Sequence, residues 1–245
     1  MYLDLNLLYK IKDEDFSYTS SSFQGCLSIE KGYSIIDHAY DAINNDDVLY
    51  LADAISNLRK AVNYRITDIF KNLGINKLVM PLGKDKKLEK LEILDIVKPL
   101  LINKLLTIRN GIEYEGANPP NKEVCKELID VVWYFYRSTD IYCTRTPDIW
   151  ELEWEEDGKE CFLSIKFDLL EHKIIEVRGR CPEKYFAETK NSPTFIPIKN
   201  VGRKISVEDD STKEFNYHPH RFKVEVEVSE IPAYLDLFSF SLKKW

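Results

Sequence analysis

One short stretch of the chain combines residue types that could bind a phosphate and act on a nearby proton. It spans residues 109–114 (RNGIEY), where a predicted helix gives way to a loop rich in glycine, asparagine and proline. Arginine supplies a fixed cation for phosphate oxygens, and a tyrosine five residues later supplies a hydroxyl. Arg109, Asn110 and Tyr114 are therefore the candidate catalytic residues. Because tyrosine has an ordinary pKa of about 10, Tyr114 is a poor proton acceptor at neutral pH but can donate a hydrogen bond.

The same stretch also has an ordinary structural interpretation. An arginine near the C-terminal end of a helix is favoured by the helix dipole and often pairs with a nearby acid, here Glu113. A functional Arg109 should be exposed together with Tyr114, in a groove near a twofold axis. A structural Arg109 should instead be buried in an ion pair within the chain.

Three polar residues of the longest predicted helix are candidate RNA ligands. Arg59, Asn63 and Arg65 lie on the flanks of its apolar face, where some of them could border a groove that holds Arg109. Polar residues on helix flanks also serve solubility, which is the alternative interpretation.

Arg137 is the fourth candidate RNA ligand. It belongs to the aromatic segment 133–140 (WYFYRSTD), whose rings could stack on bases. Aromatic residues on a helix ordinarily fill a core, and Asp140 is a ready ion-pair partner for Arg137.

Four amphipathic segments predict that the first half of the chain is helical. In each segment apolar residues recur every three or four positions, as on one face of a helix. Pro99 predicts a kink or a late start in the third segment, and the basic stretch 75–90 predicts a solvated connection. Four helices with modest connections favour a four-helix bundle. The predicted helices cover residues 27–44, 48–73, 91–110 and 121–137.

The periodicity changes after residue 140 from that of helices to that of strands. Residues 150–154 and 162–167 alternate between apolar and polar types around Asp157-Gly158, which predicts a hairpin. Residues 182–219 show little periodicity and are either a long loop or a segment ordered by a partner. Further strands are predicted at residues 1–11, 173–177, 222–228 and 235–242.

The predicted fold class is therefore α+β, an N-terminal four-helix bundle followed by a small antiparallel β domain. Residues 1–26 form an N-terminal strand and loop that could join the C-terminal sheet. Residues 27–140 form the bundle, and residues 141–245 form the β domain with its long irregular insertion.

The predicted bundle and the position of Arg109 resemble the HEPN superfamily, whose members are nucleotide-binding and RNA-cleaving helical bundles. The family signature is an arginine, commonly a polar residue next, and a histidine about five or six positions after the arginine, at the end of a bundle helix. Arg109 and Asn110 match it, and Tyr114 stands where the histidine would be. The resemblance covers roughly residues 27–140, so the β domain lies outside it.

The resemblance implies a cytoplasmic homodimer that binds RNA or a nucleotide in a toxin–antitoxin or antiviral-defence system. In active members two protomers bring their motifs together, and a metal-independent endoribonuclease leaves a 2′,3′-cyclic phosphate. The β domain would recognise a protein partner. The alternative is a HEPN-like bundle that has lost catalysis and serves dimerisation, sensing or assembly. The tyrosine and the net charge of −7 favour the alternative, whereas the Arg-Asn pair favours the nuclease.

Composition limits the remaining function classes. With a sequence pI of about 5.3, no overall field attracts nucleic acid, so any RNA ligands must form a local cluster. The five cysteines include no C-x-x-C pair, which predicts reduced thiols and no zinc site. The stretch 218–220 (HPH) lacks a third ligand, so neither a metal nor another cofactor is expected. The apolar runs are too short to span a membrane, and no membrane partner is expected.

Overall fold

A computed structural model defines the fold of most of the chain. It describes residues 2–4, 16–18, 28–45, 47–78, 80–83, 86–145, 148–156, 158–180, 185–187, 195–197, 200–201, 220–223, 226–227, 238–239 and 242. The described elements include five α-helices and ten β-strands, so the fold class is α+β. The chain divides into two compact units, which are described separately.

The helical unit comprises Phe23–Asn76 and Met80–Thr146. Its longest helix, α2, contacts α1, α4 and α5, and α1 also contacts α5. The buried faces of these helices supply the core of the unit, because they carry apolar residues at helical spacing. The helices are α1 (Ser28–Ala42), α2 (Val48–Asn72), α3 (Lys87–Ile93), α4 (Leu100–Glu115) and α5 (Lys122–Thr144).

The first two helices, α1 and α2, confirm the helices that the sequence predicts at residues 27–44 and 48–73. The carboxylate of Asp47 caps α2 by accepting a hydrogen bond of 2.9 Å from the backbone N–H of Leu49. Gly74 follows the end of α2 with a φ of +61°, which glycine adopts without steric cost.

The start of the third predicted helix differs from the expectation. The sequence predicts one helix from residue 91, but the structure has a separate short helix, α3, which begins at Lys87 in the stretch expected to be a solvated connection and ends at Ile93. Leu88 and Leu91 on α3 are buried, so this segment is also amphipathic. α4 begins directly after Pro99, which confirms a late start.

The end of α4 also differs, and this difference concerns the candidate site. The sequence predicts that the helix ends before Gly111, but α4 continues to Glu115. Gly116 ends it with a φ of +67°, and the backbone N–H of Ala117 donates to the Gly111 carbonyl at 3.0 Å. Residues 109–114 therefore all lie in the last turns of a helix.

The last helix, α5, confirms the predicted cap and extends beyond the predicted end. The side chain of Asn121 accepts a hydrogen bond of 3.0 Å from the backbone N–H of Val124. The helix runs through Thr144 rather than ending at Arg137. Its inward face continues, because Thr139 and Cys143 are fully buried at helical spacing from Tyr136.

The second unit comprises Met1–Ser22, Lys77–Val79 and Pro147–Trp245 and is built mainly of antiparallel strands. The larger sheet has the order β2-β3-β4-β5-β9-β8, with β10 also paired with β5, and the smaller has the order β6-β1-β7. The strands are β1 (Tyr2–Asp4), β2 (Phe16–Tyr18), β3 (Ile149–Glu156), β4 (Lys159–Asp168), β5 (Lys173–Arg180), β6 (Phe186–Ala187), β7 (Phe195–Pro197), β8 (Asn200–Val201), β9 (His220–Lys223) and β10 (Val226–Glu227).

The hairpin of β3 and β4 confirms the prediction from the alternating sequence. Trp150 lies opposite Ile165 and Leu152 opposite Leu163, and all four residues are buried on one face. Gly158 occupies the connection with a φ of +73°. The alternation of apolar and polar residues along the sequence therefore predicted both the strands and their buried face.

One strand prediction and one loop prediction in this unit need correction. The described residues of the stretch 235–242, namely Phe238, Ser239 and Leu242, are helical. Phe238 and Leu242 are both buried and four positions apart, which is helical spacing and explains the difference. The loop expected before residue 25 contains β2, which pairs with β3.

Candidate phosphate site at the end of helix α4

The side chain of Arg109 is the centre of a cluster in the last turns of α4. Its Nη1 donates to the Asn110 Oδ1 at 3.2 Å and to the Tyr114 hydroxyl at 3.3 Å. Its Nη2 forms an ion pair with the carboxylate of Glu113. The helix places Glu113 beside Arg109 because residues four positions apart are neighbours on a helix surface. The structure thus joins the three predicted catalytic residues with a fourth group, an acid.

The prediction that Arg109 and Tyr114 are both exposed is half wrong. Tyr114 is 74% exposed, but Arg109 is only 8% exposed. Arg109 continues the inward face of α4 after Ile102 and Leu105, with spacings of three and four residues. Its burial and its ion pair with Glu113 match the structural interpretation of this arginine.

The sequence predicts Leu101, Leu105 and Ile108 in the buried row of this helix, and Leu105 is buried as expected. Leu101 and Ile108 were expected in the core, yet Leu101 is exposed and Ile108 is half-buried. The buried positions are instead Ile102, Leu105 and Arg109, and the apolar stem of arginine tolerates this position. The spacing of Ile102, Leu105 and Arg109 was the signal that could have shown this.

The hydroxyl of Tyr114 has a pKa below the ordinary value for tyrosine. The hydrogen bond from Arg109 is the largest cause, followed by the positive charge of Arg109, and the charge of Arg59 adds to the effect. The guanidinium carbon of Arg109 also lies 5.2 Å from the centre of the Tyr114 ring. Arg59 on α2 therefore belongs to the same electrostatic neighbourhood, as one of the predicted RNA ligands.

Arg65 lies on the buried face of α2 and not on its flank, so the position expected for this residue is wrong. It is 1% exposed and donates from Nη2 to the Asp140 Oδ1 at 2.6 Å. Its guanidinium carbon lies 4.0 Å from the centre of the Tyr136 ring. Leu58, Arg65 and Ile69 share the buried stripe of α2, which explains why Arg65 points inward.

Asp140 is the centre of a second cluster that connects three helices. Besides Arg65 on α2, it accepts a hydrogen bond of 2.7 Å from the hydroxyl of Tyr33 on α1. Arg137, one turn earlier on α5, lies 3.6 Å from the same carboxylate and forms the expected ion pair. Burial and then the bond to Asp140 raise the pKa of Tyr33. Sequence reasoning missed Tyr33, because nothing local signals a partner on another helix.

The remaining predicted ligand, Asn63, is exposed on α2. Its backbone carbonyl accepts a hydrogen bond of 2.8 Å from the hydroxyl of Thr67. The four predicted RNA ligands thus separate: Arg59 lies near Tyr114, Arg65 and Arg137 surround Asp140, and Asn63 is a helix-surface residue.

The described residues contain neither a metal-binding cluster nor a helix that could span a membrane. In that part of the chain, no group of three or more His, Cys, Asp or Glu residues is arranged to hold a metal ion. Two residues of the 218–220 stretch lie outside the described residues, and the third begins β9. None of the helices that the structure describes has the length and apolarity needed to cross a membrane.

Comparison with known proteins adds no relative to this description. No protein-family model matches the chain, and neither a curated protein nor a solved structure shows significant similarity to it.

Proposed function

We propose that this chain is a HEPN-like protein that binds the phosphate of RNA or of a nucleotide at the end of α4. In this proposal α1, α2, α4 and α5 form the four-helix bundle, and Arg109 and Asn110 are the retained part of the family signature. One contact carries it: the Arg109 Nη1 donates to the exposed Tyr114 hydroxyl at 3.3 Å, and the charge of Arg59 also acts on that hydroxyl. A phosphate oxygen at that hydroxyl would meet two cations and a hydrogen-bond donor.

In its enzymatic form, the proposed protein is a metal-independent endoribonuclease that leaves a 2′,3′-cyclic phosphate. The RNA 2′-hydroxyl attacks the neighbouring phosphorus and loses its proton to water, while the bond from phosphorus to the 5′-oxygen breaks and that oxygen leaves as a hydroxyl. Arg109 stabilises the charge that develops on the phosphorane. Tyr114 donates a hydrogen bond, and a lowered pKa makes its hydroxyl a better donor than that of an ordinary tyrosine. Asn110 holds one side of the Arg109 guanidinium.

The setting of this proposal comes from the family resemblance. The protein would act as a cytoplasmic homodimer in which two copies of the motif meet, as part of a toxin–antitoxin or antiviral-defence system. The β unit would recognise a protein partner.

The second candidate is a HEPN-like module for dimerisation, sensing or assembly that does not cleave RNA. The burial of Arg109 and its ion pair with Glu113 favour this candidate, because a paired guanidinium is not free to stabilise a phosphorane. The absence of a histidine at position 114 favours it as well.

Binding and cleavage of mixed RNA in the presence of a chelator test the proposal. We expect Arg59→Ala to weaken RNA binding about three- to tenfold, because it removes a cation whose charge acts on the Tyr114 hydroxyl. Lys60→Ala is the matched control, since Lys60 is exposed on the next position of α2 and carries the same charge. Equal effects of the two variants would exclude Arg59 from the proposed phosphate site, and no binding of RNA by the unmutated protein would refute the site itself.

Cleavage separates the two candidates in the same assay. The endoribonuclease is supported if the protein yields products with cyclic phosphate ends and Arg109→Ala yields none. Loss of these products in Tyr114→Phe would identify Tyr114 as the proton donor. RNA that is bound but stays intact supports the non-cleaving module. Cleavage that survives Arg109→Ala points to a different site or to a contaminant.

A further inference from the structure

The carboxylate of Glu113 occupies the part of Arg109 that an incoming phosphate would need. It forms an ion pair with Nη2, while Nη1 is already bonded to Asn110 and Tyr114. Carboxylates and phosphates bind guanidinium groups through the same N–H donors and in the same geometry. Both are anions, so they cannot share these donors without repulsion.

We propose that Glu113 is an internal competitor that keeps the anion site of Arg109 closed until a phosphate displaces it. The inference rests on the proposed function, because it concerns regulation of the same site. Glu113 takes the position of the ligand in the free protein, and this accounts for a signature arginine that is nevertheless paired. The ligand class is a phosphate monoester or diester, whose charge and oxygen spacing allow it to replace a carboxylate.

The remaining donor of Arg109 supports an exchange of partners. Its Nε is buried and has no hydrogen-bond partner within the described part of the chain. A buried donor without a partner is unfavourable, and a phosphate that bridges Nε and Nη2 would satisfy it. The side chain of Glu113 does not reach that donor in the closed arrangement.

Opening this site requires only a side-chain rotation. The Glu113 side chain is 31% exposed and stands in the last turn of α4, one turn after Arg109. It can rotate into solvent without breaking the backbone hydrogen bonds of the helix. An ion pair of this partly exposed kind contributes little to stability, so a stronger anion can displace it.

Substitution of Glu113 by its neutral isostere tests the inference on the whole chain. The probe is a fluorescently labelled single-stranded RNA in chelator, and its dissociation constant is measured by anisotropy. We expect Glu113→Gln to bind about fivefold more tightly than the unmutated protein, which is the upper range for release of a partly exposed ion pair. Adding Arg109→Gln to Glu113→Gln should remove this gain.

Glu115→Gln is the matched control, because Glu115 is exposed two positions further along α4 and its loss removes the same charge. Its general electrostatic effect should stay below about twofold. Circular dichroism verifies that each variant keeps its helices.

The outcomes separate the inference from the proposed function. If the unmutated protein binds RNA but Glu113→Gln and Glu115→Gln behave alike, internal competition is refuted and the phosphate site stands. If the gain survives in the double variant, Glu113 does not act through Arg109 and the inference is refuted. If no variant binds the RNA, both are refuted.

Discussion

The two arginine clusters of the helical unit differ in how far their contacts reach along the chain. Arg109 bonds to side chains one, four and five positions away on the same helix. Asp140 instead joins Arg65 and Tyr33, which are 75 and 107 positions away on two other helices. Local contacts can form in one helix whatever its neighbours do, whereas contacts between helices fix their packing.

This difference separates two kinds of buried arginine. Arg65 is buried, and its loss would remove the 2.6 Å ion pair from Asp140 and leave the longer pair with Arg137. Arg109 is buried at the surface end of a helix, beside an exposed tyrosine and a partly exposed acid. Low exposure alone therefore does not identify a structural arginine. The fold depends on a buried arginine when its partners lie on other helices, and depends on it less when they lie on the same helix.

The largest expected effect is loss of stability at the Asp140 cluster. Asp140→Asn leaves the buried guanidinium of Arg65 without its counter-charge, and we expect the free energy of unfolding to fall by about 3 kcal/mol. This value is at the lower end for a broken buried pair, because the Asp140 side chain is 25% exposed. Urea unfolding followed by helical circular dichroism measures the change.

Asp130→Asn is the control for this comparison, because Asp130 is exposed on the same helix. We expect it to change stability by less than about 0.5 kcal/mol. Similar losses in the two variants would mean that Asp140 does not fix the packing of the helices.

A smaller effect is expected from the Tyr136 hydroxyl, which belongs to the same helix packing. This buried hydroxyl donates to the Ala61 carbonyl at 2.6 Å, and Tyr136→Phe should cost about 1 kcal/mol at neutral pH. Burial raises the pKa of Tyr136 far above its ordinary value. The exposed neighbour Tyr134 provides the control variant, Tyr134→Phe.

The raised pKa of Tyr136 also gives the sign of a pH dependence. Since the unfolded tyrosine ionises near about pH 10 and the folded one does so only at higher pH, its stabilisation is complete below about pH 10. It is lost as the pH rises through the folded pKa. Tyr136→Phe should therefore lose less stability than the unmutated protein between neutral and strongly alkaline pH. An identical alkaline loss would contradict burial of this hydroxyl.

Local periodicity explains which elements the sequence could predict. The amphipathic stripe of α2 and the alternation of β3 and β4 are patterns within one continuous stretch of sequence, so the sequence predicted these elements. The end of α4 was predicted wrongly because glycine often ends a helix and Gly111 is the first glycine in this segment. In the structure it is Gly116 that adopts the left-handed conformation and ends the helix. Where a helix ends depends on which of its turns pack against the rest of the protein, and the local sequence does not show this packing.

For the two arginine clusters as well, the sequence could predict local contacts but not contacts between helices. The pair of Arg109 with Glu113 has helical i,i+4 spacing, so the sequence could offer it as the structural interpretation. The pair of Arg65 with Asp140 spans most of the helical unit, and only the packing of α2 against α5 reveals it. Charge neutralisation in a core is a tertiary property, and composition cannot assign the partners.

The smallest effect concerns Arg59, the residue that links the local cluster to a second helix. Arg59→Gln removes a positive charge near Tyr114, so we expect the pKa of Tyr114 to rise towards that of tyrosine in an unfolded chain. Nuclear magnetic resonance of tyrosines labelled at Cζ measures this titration, and Tyr114→Phe identifies the signal. The unfolding midpoint should not change, because the hydroxyl is exposed.

Lys60→Gln serves as the control for this titration, since it removes the same charge from the adjacent position of α2. If Arg59→Gln and Lys60→Gln shift the titration equally, the field at Tyr114 is general rather than directed by Arg59. The cluster would then be wholly local to α4, and the proposed phosphate site would retain one cation instead of two. A shift that is specific to Arg59 would instead make α2 part of the site, so that the packing of two helices, and not one helix alone, determines its charge.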